Sequence, residues 1–154
     1  MHQLTLTPIT EDSLPIALNI INSNPEYNQL ENGQKSRTLD EIRADLLNDK
    51  TESLLIHAED EPIGVLVFLM ENPADGYPWL GLLIIDSGAK RKGFGKTAYQ
   101  QYEQLMRDRG VTAVRLGVLQ ENHGARTFWE ALGFVYYTTK RAGENEVNCF
   151  EKQL

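Results

Sequence analysis

Hydrophobic and polar positions alternate in short runs along the chain, and these runs predict strands. Leu4 and Leu6 alternate with threonines, which predicts a first strand. Six further runs are rich in β-branched and aliphatic residues: SLLIHAE, PIGVLVFLM, WLGLLIID, TAVRLGVL, FVYYTTKR and EVNCFE. The third of them is almost continuously apolar, as in a strand covered on both faces. Asp60, Glu61 and Pro62 separate the first two and predict a hairpin turn.

Apolar residues at helical spacing predict two helices between the first and second strands. The first carries Leu14, Ala17 and Ile21 on one side and has a cap at Thr10 or Asp12.

The second begins at Thr38, where Glu41 three residues later completes a capping-box pattern. Between the two helices, NSNPEYNQLENGQKS is polar and contains Pro25 and Gly33, which predicts a long surface loop.

Two more helices follow later in the chain. A long one begins after a glycine turn and ends at Gly110, and HGARTFWEAL predicts another that ends at Gly133. The order is therefore β-α-α-β-β-β-α-β-α-β-β. Short turns make the early strands antiparallel, while Trp79 to Leu119 has the length of a parallel crossover unit. We expect a single domain over residues 1–154 of the α/β (α+β) class, with a mixed, mostly antiparallel central sheet and helices on both faces.

Composition excludes several classes of protein. The chain has 15 Lys and Arg against 22 Asp and Glu, a net charge of -7, which disfavours a nucleic-acid partner and favours a cationic substrate. No apolar run approaches the roughly 20 residues that span a bilayer, and the start does not resemble a signal peptide. Cys149 is the only cysteine, so no internal disulfide forms and no zinc site is suggested. We expect a cytoplasmic protein without membrane, nucleic-acid or metal partners.

The turn AKRKGFGKTAYQ, from Ala89 to Gln100, runs against this acidic balance. A strand, a short basic loop and Gly-x-Gly at the start of a helix form an anion site in outline, because the first helical turn leaves backbone N–H groups unpaired. Glycines let a bulky anion approach the backbone. The sequence indicates a diphosphate as the guest, and a tight turn with a solvated basic loop is the alternative. GFGKTA also fits a dinucleotide fingerprint, although it lies past the middle of the chain.

A second cluster, ENHGARTFWEALGF, lies on the next strand–helix connection. Together with KRKGFG it resembles the GNAT superfamily of acetyl-CoA-dependent N-acetyltransferases, whose cofactor loop has the pattern Arg/Gln-x-x-Gly-x-Gly/Ala. The superfamily's second motif is Asn-x-x-Ala followed by an aromatic pair and Leu-Gly-Phe. The resemblance is most specific from Leu82 to Phe134, and it implies a GNAT-like fold.

The resemblance also implies roles for individual residues. Backbone groups of Leu83 and Ile85 would pair with the pantetheine arm of acetyl-CoA, between splayed fourth and fifth strands. Asn122 would contact the arm through its amide or serve as a helix N-cap. Backbone N–H groups of the glycine turn would hold the diphosphate: those of Arg91, Lys92, Gly93, Phe94, Gly95 and Lys96.

The chain departs from the superfamily pattern at the reacting groups. Trp129 stands where many members carry a tyrosine that protonates the leaving thiolate, and an indole N–H cannot act as that acid. Tyr136 or Tyr137 would substitute, or the thiolate would leave without help. Gly117 stands where some relatives have a glutamate base.

Two carboxylates at strand ends, Glu71 and Asp86, are therefore the candidate bases for deprotonating the amine. Glu26 and Tyr27 lie in the loop where this superfamily recognises its acceptor.

We expect an N-acetyltransferase that moves an acetyl group from acetyl-CoA to a primary amine of a small molecule or a protein. The alternatives are a non-catalytic acetyl-CoA-binding regulatory module and a dinucleotide-binding oxidoreductase. Because members of the superfamily often dimerise, a homodimer is also expected.

Overall fold

The computed structural model describes residues 3–154, and its strands and helices alternate much as the sequence predicts. The strands are β1 Leu4–Pro8, β2 Thr51–Ala58, β3 Glu61–Leu69, β4 Trp79–Ile85, β5 Ala113–Leu119, β6 Val135–Ala142 and β7 Asn145–Gln153. The α-helices are α1 Leu14–Asn22, α2 Pro25–Asn32, α3 Leu39–Leu46, α4 Phe94–Asp108 and α5 His123–Ala131. A 3₁₀ turn at Ser87–Ala89 links β4 to the glycine turn.

The strands form one sheet in the order β1-β2-β3-β4-β5-β7-β6. Neighbouring strands are antiparallel except β4 and β5, which are parallel because α4 crosses over between them. The predicted mixed, mostly antiparallel sheet is confirmed.

The polar segment after α1 contains a helix that the sequence analysis missed. We predicted a surface loop, but residues Pro25–Asn32 form the helix α2. Pro25 occupies its first turn, and Gly33, with φ +77°, is its C-cap. The spacing of hydrophobic residues could not predict α2, because the buried residue of this helix is polar. Asn28 is 1% exposed and donates to the carbonyls of Ile21 and Lys35, both at 3.1 Å.

Two predicted local boundaries were also wrong. The β2–β3 turn consists of Glu59 and Asp60, both with positive φ, and Glu61 and Pro62 already belong to β3. Two consecutive residues with positive φ match the right-handed twist of a hairpin. The N-cap of α1 is Ser13 rather than Thr10 or Asp12.

Helices pack on both faces of the sheet, as predicted. Alternate residues of β3 point to opposite sides: Leu66 and Phe68 join the core under α4 and α5, and Val65 and Val67 join the core under α1 and α3. Both layers lie against β3 and β4, so the centre of the sheet is covered on each side. The side chains of β4 are therefore packed on both faces of the sheet beside the opening described below.

Tyr102 is a buried residue of α4 with an unusual polar atom. Its hydroxyl has no hydrogen-bond partner within residues 3–154, and its ring packs edge-on against Phe68 with centroids 5.4 Å apart. Because an unpaired buried hydroxyl is costly, we expect Tyr102→Phe to raise the free energy of unfolding by about 1 kcal/mol in urea denaturation. The matched change Tyr99→Phe should lower it, because the Tyr99 hydroxyl donates to Glu103 at 2.8 Å. A destabilised Tyr102→Phe variant would contradict this account.

Candidate active site

Strands β4 and β5 are joined at one end and open at the other. Their register consists of the single pair Trp79 and Arg115, where the Arg115 N–H donates to the carbonyl of Pro78 at 3.0 Å. Beyond this pair the strands diverge around a cleft of about 730 Å³. We call it the β4–β5 cleft. Its walls are residues 80–85 of β4, 116–119 of β5, parts of the glycine turn and the start of α5.

The Arg115 cluster holds the closed end of this cleft. Arg115 donates from Nε to Glu151 at 2.8 Å and from Nη1 to Asp75 at 3.1 Å. Its guanidinium carbon lies 3.6 Å from the ring centroid of Tyr77 and 4.5 Å from that of Tyr137. We define the Arg115 cluster as these five residues.

Hydrogen bonds favour the charged form of Asp75, one of the two carboxylates of the cluster. Burial alone would raise the pKa of Asp75, but hydrogen bonds from the Tyr77 amide, the Trp79 indole and Arg115 together lower that pKa below its usual value. The Trp79 indole Nε1 donates to Asp75 at 3.0 Å. The two residues of the single β4–β5 register pair are therefore both tied to Asp75.

The backbone of β4 presents polar groups to the cleft. The Asp86 N–H donates to Ile63 of β3 at 2.7 Å, and backbone groups alternate sides along a strand. Those of Leu83 and Ile85 consequently face away from β3 and toward the cleft. The Ile85 carbonyl accepts from the Asn24 side chain at 3.1 Å.

A β-bulge lies further back along β4. The β3–β4 register skips Gly81, because Val67 pairs with Leu82 and Phe68 pairs with Leu80. The extra residue leaves the ladder locally disrupted beside the cleft.

The glycine turn lies at the wide end of the cleft. Gly93 is the N-cap of α4 with φ +80°, and Arg91 also has a positive φ of 67°. The Thr97 amide donates to the Gly93 carbonyl at 3.2 Å, so the amides of Gly95 and Lys96 point out of the helix start.

A Cβ on Gly95 would project toward the side chains that line the cleft. It would lie 3.6 Å from Phe128 Cζ and 3.9 Å from Ile85 Cγ1, which is ordinary contact distance. The absence of that atom therefore keeps space beside the helix start.

Eight of the nine predicted cofactor-binding residues line the cleft. They are Leu83, Ile85, Arg91, Gly93, Phe94, Gly95, Lys96 and Asn122. The ninth, Lys92, is exposed and is not part of the lining. The Asn122 side chain caps α5 by accepting from the Ala125 amide at 3.1 Å, so the capping alternative is observed at a residue that also lines the cleft.

Trp129 and Gly117 are the two departures from the superfamily pattern, and the structure shows what surrounds each of them. Trp129 is 9% exposed, lines the cleft and packs edge-on against Tyr99 and Phe134, so it forms a wall. A Cβ on Gly117 would lie 2.8 Å from Val147 Cγ1. A side chain at this position would therefore require Val147 to shift.

The candidate acid and bases lie away from the lining of the cleft. Glu71 is exposed just after β3. The Asp86 carboxylate accepts from the Gly88 amide at 3.0 Å. Tyr137 belongs to the Arg115 cluster on β6, and burial raises its pKa.

A second cavity of about 400 Å³ adjoins the cleft on the side of α2, and we call it the α2–β4 cavity. Both cavities are lined by Tyr27, Glu31, Gly81 and Leu82, so these residues mark where the two spaces meet. Tyr27 and Glu31 lie one helical turn apart on α2. Burial raises the pKa of Glu31, and hydrogen bonding with Tyr27 offsets part of that rise.

The sequence analysis missed Glu31. The signal was present as Pro25 at a helix start with Tyr27 and Glu31 four residues apart, but the segment was interpreted as a loop.

Comparisons with known proteins agree with this geometry. Residues 18–134 match the acetyltransferase (GNAT) family. A thialysine N-epsilon-acetyltransferase from Caenorhabditis elegans is 21% identical over 144 residues, covering 90% of this chain and 87% of that protein. The crystal structure of an acetyltransferase from Thermus thermophilus superposes with a TM-score of 0.84 at 25% identity, covering 100% of both chains. A spermidine N-acetyltransferase from Vibrio cholerae, solved with CoA and spermine, has a TM-score of 0.75 at 18% identity, covering 98% of this chain and 95% of that one.

The chain belongs to the GNAT acetyltransferase family. It is an acetyl-CoA-dependent N-acetyltransferase, which transfers an acetyl group to a primary amine. The family match favours this activity over the oxidoreductase and the non-catalytic module. In the part of the chain that the structure describes, no helix has the length and apolar character needed to cross a membrane.

Proposed function

We propose that the β4–β5 cleft holds acetyl-CoA, with the diphosphate at the glycine turn and the thioester beside β4. One observation carries this proposal: β4 and β5 separate after a single register pair, and the backbone groups of Leu83 and Ile85 face the opening. An extended pantetheine arm fits this strand edge, because it can pair with the backbone as an added strand would, although the Ile85 carbonyl already accepts from Asn24.

The glycine turn fits a diphosphate because of its backbone amides, its positive charge and its open approach. The amides of Gly95 and Lys96 point out of the start of α4, where the helix dipole favours an anion. The side chains of Arg91 and Lys96 line the same end of the cleft and add positive charge. The missing Cβ of Gly95 leaves the approach to these amides open.

Acetyl-CoA supplies an activated acetyl group as its thioester. The chain must then orient that group, admit an amine in its neutral form and stabilise the negative charge that develops on the carbonyl oxygen. A backbone N–H near Leu83 is positioned on the cleft side of β4 for the last role. Glu71, Asp86 and Tyr137 stay predictions for proton transfer.

The acceptor is a primary amine of a small molecule or of a protein. The names of the C. elegans and V. cholerae relatives support a small-molecule amine. A homodimer and a cytoplasmic location remain proposals that rest on the family and on the single cysteine.

Calorimetric titration with acetyl-CoA tests the cleft, and release of free thiol with an amine panel tests the transfer. Saturable binding with turnover of at least one amine is expected. Absence of binding at millimolar acetyl-CoA would overturn the proposed site.

Gly95→Ala separates the cofactor site from the fold. The added methyl group meets only ordinary contacts and alanine favours a helix, so we expect an unchanged or slightly higher melting temperature. The same methyl group narrows the approach to the helix start, so the calorimetric Kd for acetyl-CoA should rise at least about tenfold. Gln100→Ala, on the exposed side of α4, should leave the Kd unchanged. Equal affinities of the two variants would place the diphosphate elsewhere.

A further inference from the structure

We propose that Glu31 accepts the proton of a small, positively charged primary amine held in the α2–β4 cavity. The inference rests on the proposed function, because the thioester must lie in the adjoining cleft. The inference places the base on helix α2, whereas the sequence analysis placed it at a strand end, at Glu71 or Asp86.

The first support is position. Glu31 and Tyr27 on α2 face the bulged segment of β4 at Gly81 and Leu82, and these four residues line both spaces. An amine that enters from the α2–β4 cavity therefore meets the cleft beside Glu31. Glu71 and Asp86 lie outside the lining of either space.

The second support is the state of the carboxylate. Hydrogen bonding with Tyr27, one helical turn away, lowers the pKa of Glu31 and so favours its ionised form, which has lone pairs for an ammonium group. Arg37, the cation of the same cavity, is engaged by Asp45 at 2.8 Å. Glu31 is therefore not neutralised by that arginine.

The third support is the charge around the cavity. Its titratable groups are Tyr27 and Glu31 from α2, Arg37 from the loop before α3, and Asp45 from α3. The residues that β3 and β4 contribute are uncharged, and Lys90, Arg91 and Lys96 lie along the cleft. Two carboxylates against one guanidinium favour a cationic guest.

The reaction balances without another reactant. Glu31 takes one proton from the ammonium group, and the neutral nitrogen attacks the thioester carbon. The C–N bond forms, the C–S bond breaks, and the second nitrogen proton passes to the sulfur to give the free thiol. Glu31 then returns its proton to solvent.

Glu31→Gln tests the proposal, with Glu144→Gln, at an exposed carboxylate in the turn between β6 and β7, as the matched control. Three probes share a four-carbon chain and differ in charge: 1,4-diaminobutane, butylamine and 4-aminobutanoate. We expect kcat/KM to decrease in that order for the wild-type protein. At pH 7, Glu31→Gln should lower kcat at least about 100-fold, as removal of a general base does, while Glu144→Gln changes little.

The pH profile supplies a readout that a structural role would not change. The wild-type kcat/KM should rise as Glu31 ionises and then level off. In Glu31→Gln it should climb about tenfold per pH unit toward the amine's own pKa, because only amine deprotonated in solution can react. Tyr27→Phe should move the wild-type rise to higher pH, since it removes a hydrogen bond that lowers the pKa of Glu31.

Binding measurements separate the failure of this inference from the failure of the cleft. Calorimetry should give equal acetyl-CoA affinities for wild type and Glu31→Gln, and weaker 1,4-diaminobutane binding for the variant. Normal acetyl-CoA binding with unchanged Glu31→Gln kinetics would overturn the role of Glu31 alone. Acetyl-CoA binding without turnover of any of the three amines would also overturn it, whereas loss of acetyl-CoA binding by the wild type would overturn the proposed function.

Discussion

Replacing Arg115 by methionine is expected to lower the free energy of unfolding by about 3 kcal/mol at neutral pH. Methionine keeps much of the apolar stem but removes the hydrogen bonds to Asp75 and Glu151. Arg115 is only 18% exposed and its two partners are 15% and 25% exposed, so water compensates little for the unpaired carboxylates. Urea denaturation at pH 7 measures the loss.

The difference between wild type and Arg115→Met should depend on pH with a definite sign. The pKa of Asp75 is lowered in the folded protein, so its stabilising contribution is present above its unfolded pKa near 4 and is lost as pH falls through the lower folded value. The gap between the two proteins should therefore be full at pH 6 to 7 and shrink below about pH 4.

Arg141→Met is the matched control. Arg141 pairs with Glu146 at 3.3 Å, but its side chain is 66% exposed, so the change should cost less than about 0.5 kcal/mol. Equal costs for the two variants, or a gap that widens toward acid, would contradict the interpretation of the Arg115 cluster. Because the cluster holds the only register pair of β4 and β5 in the described residues, Arg115→Met should also weaken acetyl-CoA binding.

The architecture followed from the sequence wherever burial was apolar. Strand β3 appears in the sequence as a continuous apolar run, and helix α4 shows its helical period, because their buried residues are hydrophobic. The parallel crossover followed from the length of the segment between Trp79 and Leu119. Helix α2 could not be predicted from the sequence, since its buried residue is Asn28 and its other residues are largely polar.

The candidate site also has a part that the sequence predicts and a part that it does not. The glycine turn is local in sequence, so the motif and the position of Gly93 at the helix start could be predicted together. The position of Glu31 and Gly81 in the lining of the same two cavities depends on the tertiary packing of α2, a helix that the sequence did not reveal. The β4 bulge was signalled by a glycine inside a strand, but its direction depends on the register with β3.

Gly117→Glu is expected to destabilise the protein by about 3 kcal/mol and to leave turnover no higher than that of the wild type. The new Cβ would lie 2.8 Å from Val147 Cγ1, and a β-branched valine on the neighbouring strand cannot turn aside freely. We therefore expect a glutamate at this position of β5 to conflict with the packing of Val147 on β7.

Combining Gly117→Glu with Val147→Ala tests that explanation, because alanine removes the clashing methyl group. If steric conflict is the cause, the double variant should be more stable than the sum of the two single changes predicts. Urea denaturation of the four proteins gives the coupling, and thiol release gives turnover. Additive costs would show that β7 does not exclude a side chain at residue 117. A stable Gly117→Glu variant with raised turnover would show instead that β5 can carry the base, in competition with the carboxylate on α2.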